Sequence, residues 1–239
     1  TLTYRAPKKA SFATLEGTKS IDRVIDRFAV LVDGKDKAGE FYRASFSDMW
    51  SYIGHRIPEI TEELYQIDEA MKAGFGWEHG PFQIWDAVGL DKGLELIKAH
   101  GNTCAAWIEE MKSLGHRSFY KVEEGATLFY DIPSKKYKRI PGQEQLIILD
   151  NIRTQKAVYQ NPGLVLTDLG DGILNAEFRS KMNTLGGDVL SGLNKSLDIA
   201  EKDYRGLVIG NQGAHFSVGA NIAMIFMMAV EQEYDELNM

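Results

Sequence analysis

In the stretch RGLVIGNQGAHFSVGANIAMI, residues 205–225, glycines are spaced so that backbone N–H groups could take part in chemistry. A short apolar strand leads into a glycine-punctuated turn and then into a predicted helix. Backbone N–H groups at such a turn can stabilise a negative charge on a bound anion or on a reacting oxygen. Taken alone, HFSVGAN at 215–221 is also typical of a plain strand-to-helix turn.

The other reactive side chains have no partners at a useful spacing. His55 and His79 do not lie near a nucleophile, a second histidine or a metal-ligand pair, so solvated or core histidines are favoured. Cys104 precedes two alanines on a predicted helix and is expected to behave as a small buried hydrophobe. The pattern therefore predicts no metal site.

The segment IDEAMKAGFGWEHGPFQIWDAVGLD, residues 67–91, combines a helix end, a glycine-rich turn and a proline able to start the next helix. It predicts a helix-turn-helix corner at which glycines let two helices approach closely. Asp86 falls on the second helix, and Trp77 and Trp85 are expected to be core or lid residues rather than chemical groups.

Composition limits the classes of function. The chain has 239 residues, 44% of them hydrophobic, and a net charge of -7, which argues against a general nucleic-acid binder. A single cysteine rules out an internal disulfide and suits a reducing compartment. The apolar run at 221–230 is too short to span a bilayer. We therefore expect a soluble, cytoplasmic protein, and the start without methionine suggests a processed or excised piece.

The hydrophobic periodicity predicts an α+β chain. Residues 18–115 follow helical spacing, with Gly115 as a C-cap, and 118–143 is β-like and basic, which indicates a linker hairpin. Strands are then predicted at 145–152, 157–161, 163–170 and 206–211, with a helix between Glu177 and Ala200. This alternation favours a mostly parallel layer. The predicted domains are 1–117, a linker at 118–143, and 144–239.

The segment at 67–91 closely resembles the C-terminal helical domain of the 3-hydroxyacyl-CoA dehydrogenases, and the resemblance covers roughly residues 40–115. In that family a separate NAD-binding domain precedes this region and carries the catalytic His and Glu. An Asn precedes Arg-Ile in the family's first helical domain, whereas His55 stands there in this chain. The resemblance therefore implies a second, non-catalytic copy. No Gly-x-Gly-x-x-Gly follows a strand, so no cofactor-binding residues are predicted.

Residues 145–239 resemble the start of an enoyl-CoA hydratase (crotonase) domain, with an incomplete α/β (ββα) fold. The resemblance lies in GLVLTDLGDGILNAEFRSKMNTLGGDVLSGL, taken as a first strand pair leading into an Asn-Ala helix start, and in HFSVGAN. It implies that the Ala220 backbone N–H forms half of an oxyanion hole for an acyl-CoA thioester, with Phe216 and Gly219 beside the substrate. Asn221 replaces the family's acid. The basic run 135–139 could meet CoA phosphates, although a solvated hairpin is favoured.

The order of these segments predicts an internal fragment of a bifunctional β-oxidation enzyme that hydrates enoyl-CoA and oxidises 3-hydroxyacyl-CoA with NAD. The fragment itself is expected to be inactive, because no Gly-Gly-Gly turn follows Ala220. The acids near the C-terminus are expected to form a solvated helix face and not an acid/base pair; they are Glu231, Glu233, Asp235 and Glu236. The alternatives are a structural or assembly module and a non-catalytic acyl-CoA-binding module.

The end of the chain also predicts self-association into a homo-oligomer. A helix at 222–237 would expose Ile225, Phe226 and Val230, and the strand at 206–211 would lack a neighbour on one side. Burial of this apolar face between copies of the chain is the expected consequence.

Overall fold

The computed structural model describes residues 4, 6, 9 and 11–234 and divides the chain into two compact units. The first unit comprises Thr1–Glu123 and Thr127–Glu144, and the second comprises Glu124–Ala126 and Gln145–Met239. Helices and two β-sheets occur together, which agrees with the predicted α+β class.

Helices make up most of the first unit. They are α1 (Ala13–Gly17), α2 (Val24–Asp33), α3 (Lys37–Ile60), α4 (Leu64–Phe75), α5 (Pro81–Val88), α6 (Leu90–Ala99) and α7 (Ala106–Ser113). The predicted corner at 67–91 is confirmed. Gly76 ends α4 at φ 66°, Pro81 starts α5, and a Cβ on Gly80 would lie 2.2 Å from the Cβ of Asp68. Gly115, at φ 90°, follows the end of α7 as predicted.

The core of the first unit is a run of aromatic rings. Trp50 and Trp85 stack with their centroids 5.0 Å apart, and both are fully buried. Phe46 stacks on Trp50 at 5.2 Å, and Phe119 packs against Trp85 at 5.0 Å. Trp85 is therefore a core residue, one of the two roles expected for it. Burial of several aromatic side chains is a large favourable contribution to the folding of this unit.

The segment predicted as a linker hairpin is part of this core. It forms a three-stranded sheet, with β1 (Tyr120–Glu123), β2 (Ala126–Asp131) and β3 (Lys136–Arg139) in that order. Phe129 and Tyr130 of β2 are each only 1% exposed and belong to the same hydrophobic cluster as the helices. The hairpin is not a free linker, because its apolar side chains are buried against the helical part.

The second unit contains a four-stranded sheet. Its elements are α8 (Leu149–Lys156), β4 (Ala157–Gln160), β5 (Leu164–Gly170), β6 (Ile173–Phe178), a 3₁₀ turn (Lys181–Asn183), α9 (Gly187–Asp203), β7 (Gly206–Ile209) and α10 (Ile222–Glu231). The strand order is β4-β5-β6-β7. The predicted strands at 157–161, 163–170 and 206–211 are confirmed.

Three details of the prediction for this unit were wrong. Only β6 and β7 pair in parallel, and the β4–β5 and β5–β6 pairs are antiparallel, so the layer is not mostly parallel. The reason is the tight turn at Gly170–Gly172, which joins β5 directly to β6 as a hairpin. The strand predicted at 145–152 contains the start of α8, and α9 begins at Gly187 and not near Glu177, which lies in β6.

The two faces of this sheet differ in chemistry. Leu164, Leu166, Leu174 and Ala176 face α9 and form the core of the unit with Val189. The alternate residues of β5 and β6 lie on the other face and include polar groups that are nevertheless buried; they are Thr167, Asn175 and Glu177. Helix α8 packs against β5.

The end of the described chain is apolar and exposed, as predicted. Ile225, Phe226 and Val230 of α10 are 39%, 65% and 62% exposed. Strand β7 is at the edge of the sheet, and its Val208 and Ile209 are each 45% exposed. The predicted homo-oligomer remains a prediction.

Candidate functional site

The loop Gly210–Asn221 joins β7 to α10 and contains every residue predicted for a substrate site. Its first residues are held to β6 by Asn211. The Asn211 Oδ1 accepts the Phe178 N–H at 2.7 Å, and the Asn211 Nδ2 donates to the Phe216 carbonyl at 2.7 Å. One amide side chain therefore fixes both the start of the loop and its middle.

Asn183, at the end of the 3₁₀ turn, holds the middle of the loop through a second pair of hydrogen bonds. Its Nδ2 donates to the His215 carbonyl at 2.9 Å, and its own carbonyl accepts the Ser217 hydroxyl at 2.7 Å. The Ser217 Oγ in turn accepts the Gly219 N–H at 3.0 Å. The loop approaching Ala220 is thus fixed on one side by side-chain contacts to another part of the same unit.

The end of the loop pairs with Leu185 as a single parallel bridge. The Leu185 N–H donates to the Gly219 carbonyl at 2.8 Å, and the Asn221 N–H donates to the Leu185 carbonyl at 2.9 Å. Because the groups on both sides of Ala220 are bonded to Leu185, the Ala220 N–H points to the opposite side. Ala220 is exposed, and among the described residues nothing accepts a hydrogen bond from its N–H.

The other predicted substrate residues lie beside this group. The Phe216 ring is 58% exposed and packs edge-on against Phe178 with centroids 5.8 Å apart. Gly219 adopts φ 93°, a left-handed conformation that favours glycine. The structure brings Phe216, Gly219 and Ala220 together in one loop, and their roles toward a substrate remain predictions.

Two open cavities border the loop. One, of about 320 Å³, is lined by residues that include Lys181, Thr184 and Asn221. The other, of about 280 Å³, is lined by residues that include Arg179, Asn183 and His215. Both volumes are near the lower end of those typical of small-molecule sites. Because Asp188 lines the first cavity and Glu177 the second, a ligand bound at the loop would meet charges of both signs on either side.

The helix after the loop has a side-chain cap. The Asn221 Oδ1 accepts the Met224 N–H at 3.3 Å, so the residue does act as the N-cap of α10. Glu231 and Glu233 are exposed, as expected of solvated acids. The predictions for Asp235 and Glu236 lie outside the described residues.

The first unit holds a cluster of three polar side chains that the sequence pattern did not reveal. The Asp68 carboxylate accepts the N–H groups of Phe82 and Gln83 at 2.9 and 3.1 Å, and its Oδ2 also accepts the Tyr120 hydroxyl at 2.9 Å. Asp68 and Tyr120 are 52 residues apart in the sequence. No local spacing could have paired them, although an acid near a glycine-rich helix start was a partial signal.

Asp86, on α5, is a second acid whose carboxylate accepts two backbone N–H groups. Its two oxygens accept the N–H groups of Phe119 and Tyr120 at 2.7 and 2.8 Å. Desolvation raises the pKa of the Asp68 carboxyl to about 6 and that of Asp86 to about 7, although these hydrogen bonds oppose the rise. Because all four carboxylate oxygens have backbone donors, we assign both acids to the folding of this unit and not to chemistry.

The remaining candidates from the sequence are not brought together. His55 is exposed on α3, and its Nδ1 lies 2.8 Å from the Ser51 carbonyl. Burial lowers the pKa of His79. Desolvation raises the pKa of the Cys104 thiol to about 12, so this half-buried side chain packs as a neutral group against the first core. Trp77 is 36% exposed near the corner.

The basic run at 135–139 makes local ion pairs. Lys138 lies 2.8 Å from Asp131, and Lys135 pairs with Glu110. The Lys121 ammonium lies 4.8 Å from the centre of the Tyr137 ring. These contacts agree with the solvated hairpin that was favoured for this run.

Neither a metal cluster nor a membrane-spanning helix is found in the described part of the chain. No three side chains of His, Cys, Asp or Glu lie close enough there to hold a metal ion. None of the described helices has the length and apolar character needed to cross a bilayer.

Comparison with known proteins identifies the relatives of the chain. Residues 45–126 match the family described as 3-hydroxyacyl-CoA dehydrogenase, C-terminal domain. The whole chain is 37% identical to the probable 3-hydroxyacyl-CoA dehydrogenase of Bacillus subtilis (strain 168) and covers 30% of that protein. No solved structure shows significant similarity.

Two more distant relatives are described as putative fatty acid oxidation complex trifunctional enzymes. The chain is 26% identical over 200 residues to the protein of Rickettsia felis and 22% identical over 219 residues to that of Rickettsia prowazekii. These matches cover 83% and 92% of the chain and 25% and 27% of the relatives. The chain thus spans less than a third of the length of its relatives. These homologues are named as 3-hydroxyacyl-CoA dehydrogenase or fatty acid oxidation complex enzymes, and residues 45–126 match the model of the dehydrogenase C-terminal domain.

Proposed function

We propose that this chain is part of a bifunctional β-oxidation enzyme that oxidises 3-hydroxyacyl-CoA with NAD and hydrates enoyl-CoA. The dehydrogenase half of the proposal is supported by the family match at 45–126 and by the similarity along the whole chain to a probable 3-hydroxyacyl-CoA dehydrogenase. The comparisons give no evidence for a hydratase part, so that half depends on the geometry of the second unit. Acyl-CoA thioesters are the proposed substrates.

In this proposal the first unit is structural. Its two desolvated acids, Asp68 and Asp86, are fully occupied by backbone N–H groups and one tyrosine hydroxyl. His55, at the place where the dehydrogenase pattern has Asn, is exposed on α3, and its Nδ1 lies 2.8 Å from the Ser51 carbonyl of the same helix. The unit would hold its neighbours in the full protein and would take no part in hydride transfer.

The observation that carries the hydratase proposal is the unpartnered, exposed N–H of Ala220 in a loop that is otherwise held by hydrogen bonds. When water adds across the double bond of an enoyl thioester, negative charge develops on the thioester oxygen. A fixed N–H directed at that oxygen stabilises the charge without reorganising during the reaction, and one such donor is worth about 3–4 kcal/mol. In this proposal the Ala220 N–H is one donor of two.

The remaining groups required for hydration are not found in this sequence. It has no Gly-Gly-Gly turn after Ala220 and no described pair of acids near the loop that is free for proton transfer. We propose that the second donor and the acid and base belong to another part of the full protein. This chain alone would then be inactive as a hydratase.

The proposed function is tested with the full-length natural protein that carries this chain. It should form NADH from NAD and a 3-hydroxyacyl-CoA, and it should consume a short enoyl-CoA in the presence of water. Absence of NADH formation would reject the dehydrogenase half, and absence of enoyl-CoA loss would reject the hydratase half. Heat of binding on titration with acetyl-CoA, without turnover of either substrate, would instead favour a non-catalytic acyl-CoA-binding module.

A further inference from the structure

Gln212 connects the candidate loop to a helix that lies outside the loop. Its Oε1 accepts the Leu149 N–H at 2.7 Å, and its Nε2 donates to the Ile147 carbonyl at 2.5 Å. Leu149 is the first residue of α8, whose N-cap residue is Ile148. Isoleucine cannot accept a hydrogen bond through its side chain, so the loop supplies the cap that the helix lacks.

Helix α8 is in turn anchored to β6. The Arg153 Nε and Nη2 each lie 2.7 Å from an oxygen of Glu177, which is a bidentate pair. The Glu177 side chain is only 2% exposed and Arg153 is 19% exposed, so water screens this pair poorly. A helix of eight residues is marginal in isolation, and this ion pair fixes its position on the sheet.

These contacts connect the loop, α8 and β6 to one another. Asn211 and Gln212 are adjacent in the loop, and Glu177 and Phe178 are adjacent in β6. Asn211 binds the Phe178 N–H directly, whereas Gln212 reaches Glu177 through α8 and Arg153. The start of the loop is therefore held to β6 along two independent routes, one direct and one through α8.

We infer that Gln212 is a positioning residue for the proposed hydration step, because it braces the loop that presents the Ala220 N–H against α8. The inference rests on the proposed function. Loss of the brace leaves Asn211 and the Leu185 bridge in place, so the loop stays folded but less rigid. A donor displaced by a fraction of an ångström stabilises the developing charge less, while the binding contacts of the rest of the substrate persist.

The test compares Gln212→Ala with wild type in the full-length protein. We expect kcat for enoyl-CoA hydration to fall by about tenfold with KM within about twofold, because misplacement affects the transition state and not the ground state. Amide hydrogen exchange should become faster in peptides covering 213–221 and 147–156. Glu201→Ala, an exposed α9 substitution, is the matched control and should match wild type in every readout.

Gln212→Glu is the conservative variant and guards against a folding defect in Gln212→Ala. The carboxylate keeps an acceptor for the Leu149 N–H but cannot donate to the Ile147 carbonyl. Both kcat and the amide exchange rates of this variant should therefore be intermediate between those of wild type and those of Gln212→Ala. Unchanged exchange at 213–221 would overturn the brace. Faster exchange with unchanged kcat, or a rise in KM alone, would overturn the positioning role.

The hydration rate of the wild-type protein separates this inference from the proposed function. If wild type does not hydrate enoyl-CoA, the proposed function fails and the positioning role fails with it. The exchange rates of Gln212→Ala still decide in that case whether the brace holds the loop. If wild type is active and Gln212→Ala behaves identically, only the inference is rejected.

Discussion

The two units of this chain use polar groups in different ways. In the first unit, the Asp68 and Asp86 carboxylates are surrounded by donors and hold β1 to the helices α4 and α5. In the second unit, the polar side chains Asn183 and Asn211 hold a loop whose own Ala220 N–H is left without a partner among the described residues. In the first unit the polar groups are thus engaged in holding the fold, whereas in the second unit the fixed loop presents one backbone donor to solvent, and we propose that this donor is the candidate site.

The two units also differ in how completely they bury their apolar side chains. The aromatic run of the first unit is closed, with Trp50 and Trp85 fully buried. In the second unit, α9 covers one face of the sheet, while β7 is an edge strand and α10 exposes Ile222 and Phe226. All four tryptophans, at positions 50, 77, 85 and 107, belong to the first unit, so tryptophan fluorescence follows its unfolding alone.

The largest expected effect is the loss of the Asp68 carboxylate. Asp68→Ala leaves the N–H groups of Phe82 and Gln83 and the Tyr120 hydroxyl without their acceptor, and we expect the first unit to lose about 3–5 kcal/mol of stability. Urea unfolding followed by tryptophan fluorescence measures this loss. Asp91→Ala, which removes an exposed acid paired with Lys112, is the control and should leave the midpoint unchanged. An equal midpoint for both variants would contradict the structural role of Asp68.

A comparable substitution in the second unit should leave the stability of the first unit unchanged. Arg153→Ala removes the bidentate partner of the buried Glu177 carboxylate and leaves it the weaker Arg179 contact at 3.2 Å. We expect the second unit to lose about 2–3 kcal/mol, seen by circular dichroism with no change in the fluorescence transition. Replacing both partners, as in Arg153→Met with Glu177→Leu, should restore most of the stability because no buried charge remains. A shift of the fluorescence transition in either variant would show that the units do not unfold independently.

The pH dependence of the stability of the first unit should show the raised pKa of Asp86. The pKa of Asp86 is about 7 in the folded protein and about 3.9 in an unfolded chain. The folded state therefore binds this proton more tightly, and the protonated carboxyl contributes its full stabilisation below pH 4. That contribution disappears as the pH rises through 7, and we expect it to amount to roughly 2 kcal/mol for this partly exposed residue.

Asp86→Asn removes the titration and isolates this effect from other acids. The stability of the variant relative to wild type should increase as the pH rises from 4 to 8, measured by urea midpoints from tryptophan fluorescence. A constant difference between the two proteins across this range would mean that desolvation does not raise the pKa of Asp86.

The smallest expected effect concerns the exposed end of the second unit. We expect the 239-residue chain to self-associate through α10, where Ile222 is 80% and Phe226 is 65% exposed. Phe226→Gln should weaken association at least about tenfold in sedimentation experiments, a change of about 1.4 kcal/mol. Leu114→Gln, which replaces an exposed leucine of the first unit, serves as control. A wild-type chain that stays monomeric at high concentration would contradict this expectation.

Sequence reasoning succeeded where a local rule determines the structure. The corner at 67–91 follows from Gly76, Gly80 and Pro81, each of which is needed at its place for a backbone or steric reason. Strand β5 follows from its continuous apolar run, which is typical of a buried strand. These features could be predicted because the cause lies within a few residues of the effect.

Sequence reasoning failed where distant groups decide the structure. The segment 145–152 was predicted as a strand, but a helix starts at Leu149, where Gln212, 63 residues away, caps it and Glu177 anchors it through Arg153. The link between Asp68 and Tyr120 is equally remote. For the candidate site, the pattern predicted that Ala220 lies in a turn between a strand and a helix, but it could not show that Asn183, Asn211 and Leu185 hold that loop.

The central claim is that the Ala220 N–H stabilises charge on a thioester oxygen, and the kcat of Ala220→Pro in the full-length protein tests it most directly. Proline removes the N–H without removing a hydrogen bond found among the described residues, whereas Ala220→Ser keeps the donor. We predict that Ala220→Pro lowers kcat for enoyl-CoA hydration by about 10²–10³ and that Ala220→Ser stays near wild type, with similar unfolding temperatures for all three proteins. Hydration by a folded Ala220→Pro at the wild-type rate would contradict the claim.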